Sequence, residues 1–232
     1  EVSLQSAKAI IDALDREHYE VIPIAVTKQG QWLQLSDSSI DPTRALDGEI
    51  GEFVSMLPVP RNTSMVAADV VGAQGDSASI ASRLDVVFPI IHGPMGEDGT
   101  VQGLFELAGM AYVGAGVLGS AVGMDKAVMK VLFQSRGLPV AQYHVVMRKQ
   151  WIADPFSVQH DLEAQFTYPW FVKPANMGSS VGVSKVHDAS EFSAAMTLAA
   201  QFDRKIIVER AIENAREIEV AVLGNDEPQA SV

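Results

Sequence analysis

The stretch Val172–Val183, VKPANMGSSVGV, decides the fold predicted for this chain. Lys173 ends an apolar run and is followed by a loop with two glycines and the adjacent hydroxyls of Ser179 and Ser180. Glycines let the backbone approach an anion, while free amides and hydroxyls donate hydrogen bonds and the lysine adds a positive charge. The stretch therefore indicates a phosphate-binding loop, with a hairpin turn beside a surface lysine as the alternative. It is not the common P-loop, because the pattern G-x-x-x-x-G-K-[S/T] is absent.

The residues around this loop predict an α+β unit of antiparallel strands and helices. Asp188 and Glu191 form a capping-box pattern for a helix that runs through Phe202. Apolar runs of strand length lie on both sides of the loop and of this helix, at 167–173, 179–186, 206–209 and 217–223.

The first half of the chain predicts a different architecture, an open α/β domain with a mostly parallel sheet. The run Asp85–Ile91 is typical of a strand buried on both faces. A helix at Val101–Ala108 and a short strand at Ala111–Val113 complete a βαβ unit. Because ligands bind at the C-terminal ends of strands in such sheets, His92 is a candidate site residue.

Further elements are predicted on either side of this unit. A helix at about residues 3–16, which Ser3 could cap, and a strand at 20–26 precede a weakly patterned region at 27–82. The glycine-rich segment 114–119 is a candidate domain boundary, and a helix at 124–136 follows it.

Composition restricts the class of function. Among 232 residues, 17 Lys and Arg against 29 Asp and Glu give a net charge of −12, which disfavours binding to nucleic acid or an anionic membrane. With no cysteine, the chain has no disulfide, thiolate metal ligand or cysteine nucleophile. No apolar run reaches the roughly 18 residues of a membrane span, and no signal peptide is visible. We therefore expect an intracellular, cytoplasmic protein.

Several other side chains could bind a ligand, and each has a plainer alternative. Lys126 opens a helix, where the dipole favours negative charge, so an anionic ligand would explain it; a solvated surface lysine is the alternative. Glu209 and Glu217 lie at the ends of apolar runs and could accept hydrogen bonds from an adenine amino group and ribose hydroxyls, or be rim charges. His92 could orient a substrate group or be a buried histidine bonded to the backbone.

The adjacent acids Glu97 and Asp98 could be metal ligands. Two acids in a loop are more often exposed to solvent or capping a helix. Trp32, Trp151 and Trp170 are interpreted as core or rim residues.

Together these segments resemble the D-alanine–D-alanine ligases of the ATP-grasp superfamily, from the first residue to the last. The most specific part is the combination of HGPMGEDG at 92–99 with GSSVG at 178–182. The other matching stretches, in the family's order, are EVS at 1–3, YVGAG at 112–116, MDK at 124–126, FVKP at 171–174 and EIEVA at 217–221.

The resemblance implies three domains, with ATP held between the second and third. These would be an N-terminal α/β domain at 1–114 that lacks its first strand, a central ATP-grasp domain at 115–212, and the start of a truncated C-terminal ATP-grasp domain at 213–232. It also implies the reaction: ATP phosphorylates one D-alanine, and the amine of a second displaces phosphate to give the dipeptide of peptidoglycan. ATP, Mg²⁺ or Mn²⁺, two D-alanine sites and a homodimer are implied, without a nucleic-acid or membrane partner.

The resemblance gives the candidate residues their roles. Lys126 and Lys173 correspond to the lysines on the ATP phosphates, where charge compensation assists phosphoryl transfer, and Ser180 to a donor of the phosphate loop. Ser179 corresponds to the catalytic serine of a Glu-Ser-Tyr set near the first D-alanine, and it is also assigned to the ATP-binding residues.

The remaining implied contacts concern adenosine and the first D-alanine. Phe171 would pack on the adenine, Glu209 and the backbone near Ala211 and Ile212 would bind its edge, and Glu217 would bind the ribose. Val2 and His92 would line the first D-alanine site.

The chain departs from the family's pattern at both ends. The acidic residue that binds the first D-alanine ammonium would lie just before residue 1, so we do not expect Glu1 to be that residue. The tyrosine partner of Ser179, the metal ligands and the oxyanion-stabilising arginine would lie beyond Val232, so we expect no metal ligand here. We therefore expect a fragment, and residues 1–232 alone should not catalyse the full reaction.

Two alternatives stay open. A D-alanine–D-lactate ligase is one, because the residues that choose the second nucleophile would lie mostly beyond Val232. A non-catalytic nucleotide-binding module is the other, although intact Lys126, Lys173 and Ser179 argue against it. A Rossmann dehydrogenase is set aside, because no G-x-G-x-x-G follows the first strand.

Overall fold

The computed structural model describes residues 2–35, 51–59, 64–67 and 80–231. Glu1 and part of the weakly patterned region 27–82 lie outside the described residues. The chain divides into two compact units, Glu1–Leu132 with Asn176–Ser179, and Phe133–Ala175 with Ser180–Val232. The four residues 176–179 therefore group with the first unit, although their chain neighbours belong to the second.

The helices are short to medium in length, and none in the described ranges is long and apolar enough to cross a membrane. They are α1 (Val2–Ala13), α2 (Thr100–Ala108), α3 (Val117–Met124), α4 (Lys126–Ser135), α5 (Arg148–Ala153), α6 (Pro155–Gln165) and α7 (Ala189–Phe202).

The strands form three sheets in the part of the chain that the structure describes. They are β1 (Ile24–Val26), β2 (Trp32–Gln34), β3 (Glu52–Met56), β4 (Ser64–Ala67), β5 (Ile80–Arg83), β6 (Tyr143–Met147), β7 (Trp170–Pro174), β8 (Ser184–Val186), β9 (Lys205–Arg210), β10 (Val222–Leu223) and β11 (Gln229–Ala230).

The sheet of the first unit is an antiparallel meander in chain order, β1 to β5. Val54 and Met56 of β3 are buried while Ser55 between them is exposed, and they pack with Phe105 of α2. The prediction of a mostly parallel sheet is therefore wrong for the described strands. Three to five residues per strand give too few alternations to be recognised in the sequence, which is why region 27–82 looked weakly patterned.

The strand predicted at Asp85–Ile91 is also wrong. Val87 forms an isolated parallel bridge with Tyr112, with Val87 N–H to Ala111 O and Val113 N–H to Val87 O both 2.9 Å. Val86 and Phe88 are about half exposed, at 49% and 48%. An apolar strand is buried on both faces only where other helices or strands pack on both of them. The composition of the run does not show whether such elements are present.

Helix α1 begins at Val2, so Ser3 lies inside the helix and does not cap it. The Ser3 hydroxyl instead accepts a hydrogen bond from the backbone N–H of His92, at 3.1 Å. The predicted helix is confirmed with shorter bounds. The predicted cap is wrong, because the Ser3 hydroxyl binds the backbone of a residue that is distant in sequence.

The helix predicted at 124–136 is confirmed as α4, Lys126–Ser135, and a further helix that was not predicted, α3, precedes it and ends at Met124. Helix α3 occupies the glycine-rich segment that the sequence marked as a boundary. The Asp125 carboxylate accepts hydrogen bonds from the N–H groups of Ala127 and Val128, at 3.1 and 3.2 Å, and so caps the start of α4. Lys126 is confirmed as the first residue of that helix.

The second unit contains an antiparallel sheet of order β6-β9-β7-β8 with helices packed on it. Trp170 and Val172 of β7 are fully buried and pack with Phe192 and Met196 of α7. Asp188 caps α7 by accepting from Ser190 N–H at 2.8 Å, whereas Glu191 accepts from the N–H of His187. The predicted α+β architecture is confirmed for this unit.

Two strands of this half are shorter than predicted. Strand β8 begins at Ser184 rather than residue 179, because Ser179 and Ser180 have φ angles of 50° and 58° that a strand does not allow. Of the run 217–223, only β10 is a strand, paired with β11, and residues 217–221 are exposed. Apolar residues alternate at 218, 220 and 222 as they do in a half-buried strand. Here both faces of the segment are exposed, so the pattern does not produce a strand of the predicted length.

Candidate functional site

A lysine, a glutamate and an aromatic ring lie on one face of the sheet in the second unit. Because side chains alternate along β7, Trp170 and Val172 enter the core while Phe171 and Lys173 point to the opposite face. Glu209 of β9 is the cross-strand partner of Phe171. The Lys173 ammonium forms an ion pair with the Glu209 carboxylate and lies 5.8 Å from the centroid of the Phe171 ring.

This ion pair is largely removed from water. The side chain of Lys173 is 19% exposed and that of Glu209 is 10% exposed. Two charges at such low exposure must compensate each other, because an isolated buried charge loses several kcal/mol of hydration. The pair therefore fixes both side chains on this face of the sheet, next to an aromatic ring.

The glycine-rich loop takes a left-handed backbone at three residues of the segment 179–182. Ser179, Ser180 and Gly182 have φ angles of 50°, 58° and 70°, and the N–H of Val183 donates to Ser180 O at 3.2 Å. A β-carbon on Gly182 would lie 2.6 Å from the Phe202 ring and 2.8 Å from that of Pro174. The loop thus needs glycine at position 182. Its turns also carry the hydroxyls of Ser179 and Ser180, which can donate hydrogen bonds to an anion.

The Lys126 side chain contacts this loop. Its ammonium donates a hydrogen bond to the backbone carbonyl of Met177, across 51 residues of sequence. Both residues belong to the first unit, since that unit includes Asn176–Ser179. A lysine at a helix N-terminus opposes the helix dipole, and here the Asp125 cap and the Met177 carbonyl offset that repulsion.

His92 is held by the first turns of α1 and by its own loop. Its backbone N–H donates to Ser3, and its Nε2 lies 3.0 Å from the Ser6 hydroxyl. Its Nδ1 lies 3.4 Å from a Glu97 carboxylate oxygen, and the other oxygen of Glu97 accepts from Gly93 N–H. Val2, the other predicted D-alanine contact, is at the start of α1 and 59% exposed. The structure therefore brings the predicted pair to the same helix end.

The acids of the same loop organise its backbone. Asp98 accepts hydrogen bonds from the N–H groups of Met95 and Thr100, at 2.8 and 3.0 Å. Burial acts to raise the pKa of Asp98, but these hydrogen bonds outweigh it, so that its pKa lies below the usual 3.8. Within the described residues, no three His, Cys, Asp or Glu side chains form a group that could hold a metal ion.

The lowered pKa of Asp98 makes the stability of this loop depend on pH. A carboxylate favoured in the folded state stabilises it above pH 3.8, and the contribution is lost as the pH falls through the lower folded pKa. We expect Asp98→Asn to lower the free energy of unfolding by about 1 kcal/mol at pH 7, and by much less at pH 3. Urea unfolding at the two pH values measures this, with exposed Asp85→Asn as control. An equal loss at both pH values would contradict the electrostatic origin.

The other predicted adenosine contacts lie in the second unit but differ in exposure. Ala211 follows β9, is buried, and donates its N–H to Pro169 O at 2.9 Å. Ile212 is 65% exposed, and Glu217 lies in the exposed segment after it. The C-terminal end of β9 is thus fixed by the contacts of Glu209 and Ala211, whereas Ile212 and Glu217 lie outside regular structure.

Sequence reasoning missed two contacts of the candidate residues. Ser6 contacts His92 and lies three residues after Ser3, so both hydroxyls occupy one face of α1. That spacing could have revealed the pair. The Met177 carbonyl carries no signal in the sequence, because every residue has such a group.

Comparisons with known sequences support one family along most of the chain. The family described as "D-ala D-ala ligase N-terminus" matches residues 1–115, and "D-ala D-ala ligase C-terminus" matches residues 132–232. Among curated relatives, the D-alanine–D-alanine ligase of Heliobacterium modesticaldum is 48% identical over 232 residues. That of Chloroherpeton thalassium is 45% identical over 235 residues. All of this chain is covered, but only 61% and 63% of these relatives.

Solved structures give the same result. The D-alanine–D-alanine ligase of Coxiella burnetii is 33% identical, with a TM-score of 0.83 over 99% of this chain and 65% of that one. The VanG D-Ala:D-Ser ligase of Enterococcus faecalis is also 33% identical, with a TM-score of 0.82 over 99% of this chain and 63% of that one. With its fold, its HGPMGEDG and GSSVG loops and its curated relatives in agreement, the chain belongs to the D-alanine–D-alanine ligase family.

Proposed function

We propose that this chain is part of an ATP-dependent, ADP-forming ligase that joins two D-alanines for peptidoglycan precursors. The observation that carries the proposal is the ion pair of Lys173 with Glu209 beside Phe171, at the root of the glycine-rich loop. The aromatic face of Phe171 can stack on an adenine, and the Glu209 carboxylate can accept a hydrogen bond from the adenine amino group. The Lys173 ammonium can bind the nucleotide phosphates. The family's known ligases support the same assignment.

The proposed reaction has two steps. A carboxylate oxygen of the first D-alanine bonds to the γ-phosphorus of ATP, the bond to the β-phosphate oxygen breaks, and ADP leaves. The amine of the second D-alanine then bonds to the acyl carbon, phosphate leaves and the amine loses a proton. Lys126, Lys173 and the loop donors around Ser180 compensate the charge of the transferring phosphoryl group.

A divalent metal ion, Mg²⁺ or Mn²⁺, would add charge compensation on the phosphates. The described residues offer no cluster that fits it, so we assign no metal ligand among them. The lysines are the phosphate-binding charges that this chain itself supplies.

The first-D-alanine contacts fall within one unit. Val2, His92 and Ser179 all belong to the unit formed by Glu1–Leu132 with Asn176–Ser179. The hydrogen bond that the His92 N–H donates to Ser3, and the one between the His92 ring and Ser6, fix His92 so that it can orient the bound amino acid. Ser179, in the catalytic role, would hydrogen-bond near the same substrate.

The adenosine contacts fall within the other unit. Phe171 would pack on the base, Glu209 would accept from its amino group, and the backbone at Ala211 and Ile212 would bind its edge. Glu217 would bind the ribose. We further propose the domain boundaries 1–114, 115–212 and 213–232, a homodimer, and a cytoplasmic reaction.

The test uses a protein of the relatives' full length that carries these 232 residues. Phosphate release is measured with ATP, Mg²⁺ and D-alanine, with D-serine and D-lactate each in competition, and Lys173→Ala as the inactive control. Dipeptide formed from D-alanine, and lost in the variant, is the expected result. D-Serine is included because a D-Ala:D-Ser ligase is as similar to this chain as a D-alanine–D-alanine ligase structure is. ATP binding without turnover would instead support a non-catalytic nucleotide-binding module.

A further inference from the structure

The glycine-rich loop is fixed at its two ends by the second unit. The N–H of Ala175 donates to Lys205 O at 2.9 Å, before the loop begins. After the turns, Gly182 lies so close to Pro174 and Phe202 that no β-carbon fits. These contacts hold the two ends of the loop and do not act directly on residues 177–180.

The middle of the loop has a conformation that needs support. Ser179 and Ser180 are consecutive non-glycine residues with positive φ, and such a backbone costs of order 1 kcal/mol or more per residue. A strained backbone persists only where surrounding contacts determine it. The unsupported loop would relax and its amides would lose their arrangement.

Lys126 supplies a contact at the required place. Its ammonium donates to Met177 O, two residues before Ser179, and the contacts of Asn176–Ser179 group them with the unit that contains Lys126. Lys126 is the first residue of α4, and the Asp125 cap fixes the start of that helix. The backbone from which the Lys126 side chain extends is therefore held in place. A charged donor makes this hydrogen bond stronger than one between neutral groups.

We propose that Lys126 is a positioning residue for the glycine-rich loop, which sets the backbone of residues 177–180 before a nucleotide arrives. This role is additional to its contact with phosphate, and rests on the proposed function only in taking the loop as the phosphate-binding segment. When a nucleotide binds, its phosphates compete with the Met177 carbonyl for the same ammonium. In this proposal Lys126 binds the Met177 carbonyl in the free protein and the nucleotide phosphates in the bound protein.

The test is hydrogen–deuterium exchange of nucleotide-free protein, followed in peptides that cover residues 174–186. In Lys126→Met, the amide of Val183, which donates to Ser180 O within the loop, should exchange about tenfold faster, because the charged hydrogen bond that holds the loop is gone. Lys126→Arg should restore most of the protection, since a guanidinium can donate to the same carbonyl. Lys130→Met makes the same chemical change one turn further along α4 and should leave the loop unchanged.

Peptides from α4 and β9 serve as internal references and should exchange as in the wild type. If Lys126→Met disturbs them, Lys126→Gln removes the charge with a smaller change of shape and is judged by the same criterion. A wild-type exchange rate at Val183 in both Lys126→Met and Lys126→Gln, or an equal acceleration in Lys130→Met, would overturn the proposal. ATP binding to the wild type, measured separately by equilibrium dialysis, tests the proposed function alone, so failure of one leaves the other standing.

Discussion

Replacing Gly96 by alanine should disrupt the loop that carries His92 and lower the free energy of unfolding by about 3 kcal/mol. A β-carbon at this position would lie 1.9 Å from the carbonyl oxygen of Ile91 and 2.6 Å from its carbonyl carbon. The clashing atoms belong to the backbone of Ile91, so rotating a side chain cannot remove the clash. The chain must move where Gly96 closes the turn onto Gly93 O, and the Glu97 contacts of His92 and Gly93 move with it.

Gly103→Ala is the matched control for this prediction. Gly103 lies inside α2 in the same unit, and its β-carbon would meet no atom within 4 Å. Alanine in a helix interior is more favourable than glycine by about 1 kcal/mol, so this variant should be slightly stabilised. Urea unfolding followed by circular dichroism measures both. Equal stability of the two variants would show that the close approach at Gly96 is not present in solution.

Removing the ammonium of Lys173 should have the second largest effect, on stability and on nucleotide binding together. In Lys173→Met the Glu209 carboxylate, 10% exposed, loses its cation, and we expect a loss of about 3 kcal/mol in the stability of the second unit. ATP affinity should fall about 10- to 100-fold, the range for loss of one charged hydrogen bond. Tryptophan fluorescence during urea unfolding reports the first quantity, because Trp151 and Trp170 are buried in this unit.

A double-mutant cycle separates the two effects. Adding Glu209→Gln to Lys173→Met should recover most of the lost stability, because no isolated charge remains, but should not recover ATP binding. Lys149→Met on the exposed surface of α5 is the control for loss of a lysine in the same unit. If Lys173→Met is no less stable than Lys149→Met, the ion pair contributes nothing measurable.

Elements with a local chemical signal were predicted from the sequence. Helix α7 was recognisable because Asp188 caps it at the expected residue, and α2 because its apolar residues recur at helical spacing. Strand β9 was found because Ile206, Ile207 and Val208 form a short apolar run that is fully buried. In these places the local sequence and the tertiary structure favour the same conformation.

Elements that depend on distant partners were not predicted. The run 85–91 has the composition of a central strand, yet only Val87 forms a bridge, because pairing is decided by neighbours that the run does not encode. Ser3 has the chemistry of a helix cap but binds the N–H of His92, which is 89 residues away. The same limit applies to the site, where Lys173 and Glu209 were each selected but their mutual ion pair depends on the register of β7 and β9.

The grouping of residues 176–179 with the first unit limits where this chain can be divided. A polypeptide that ends at Leu132 would keep Lys126 but lack the carbonyl of Met177 that it binds. A polypeptide that starts at Phe133 would keep Met177 and lack the lysine. No single cut at that boundary yields a half with its own contacts complete, so protein dissection, domain exchange between relatives and split-protein reporters would all need to move the four-residue segment along with α4.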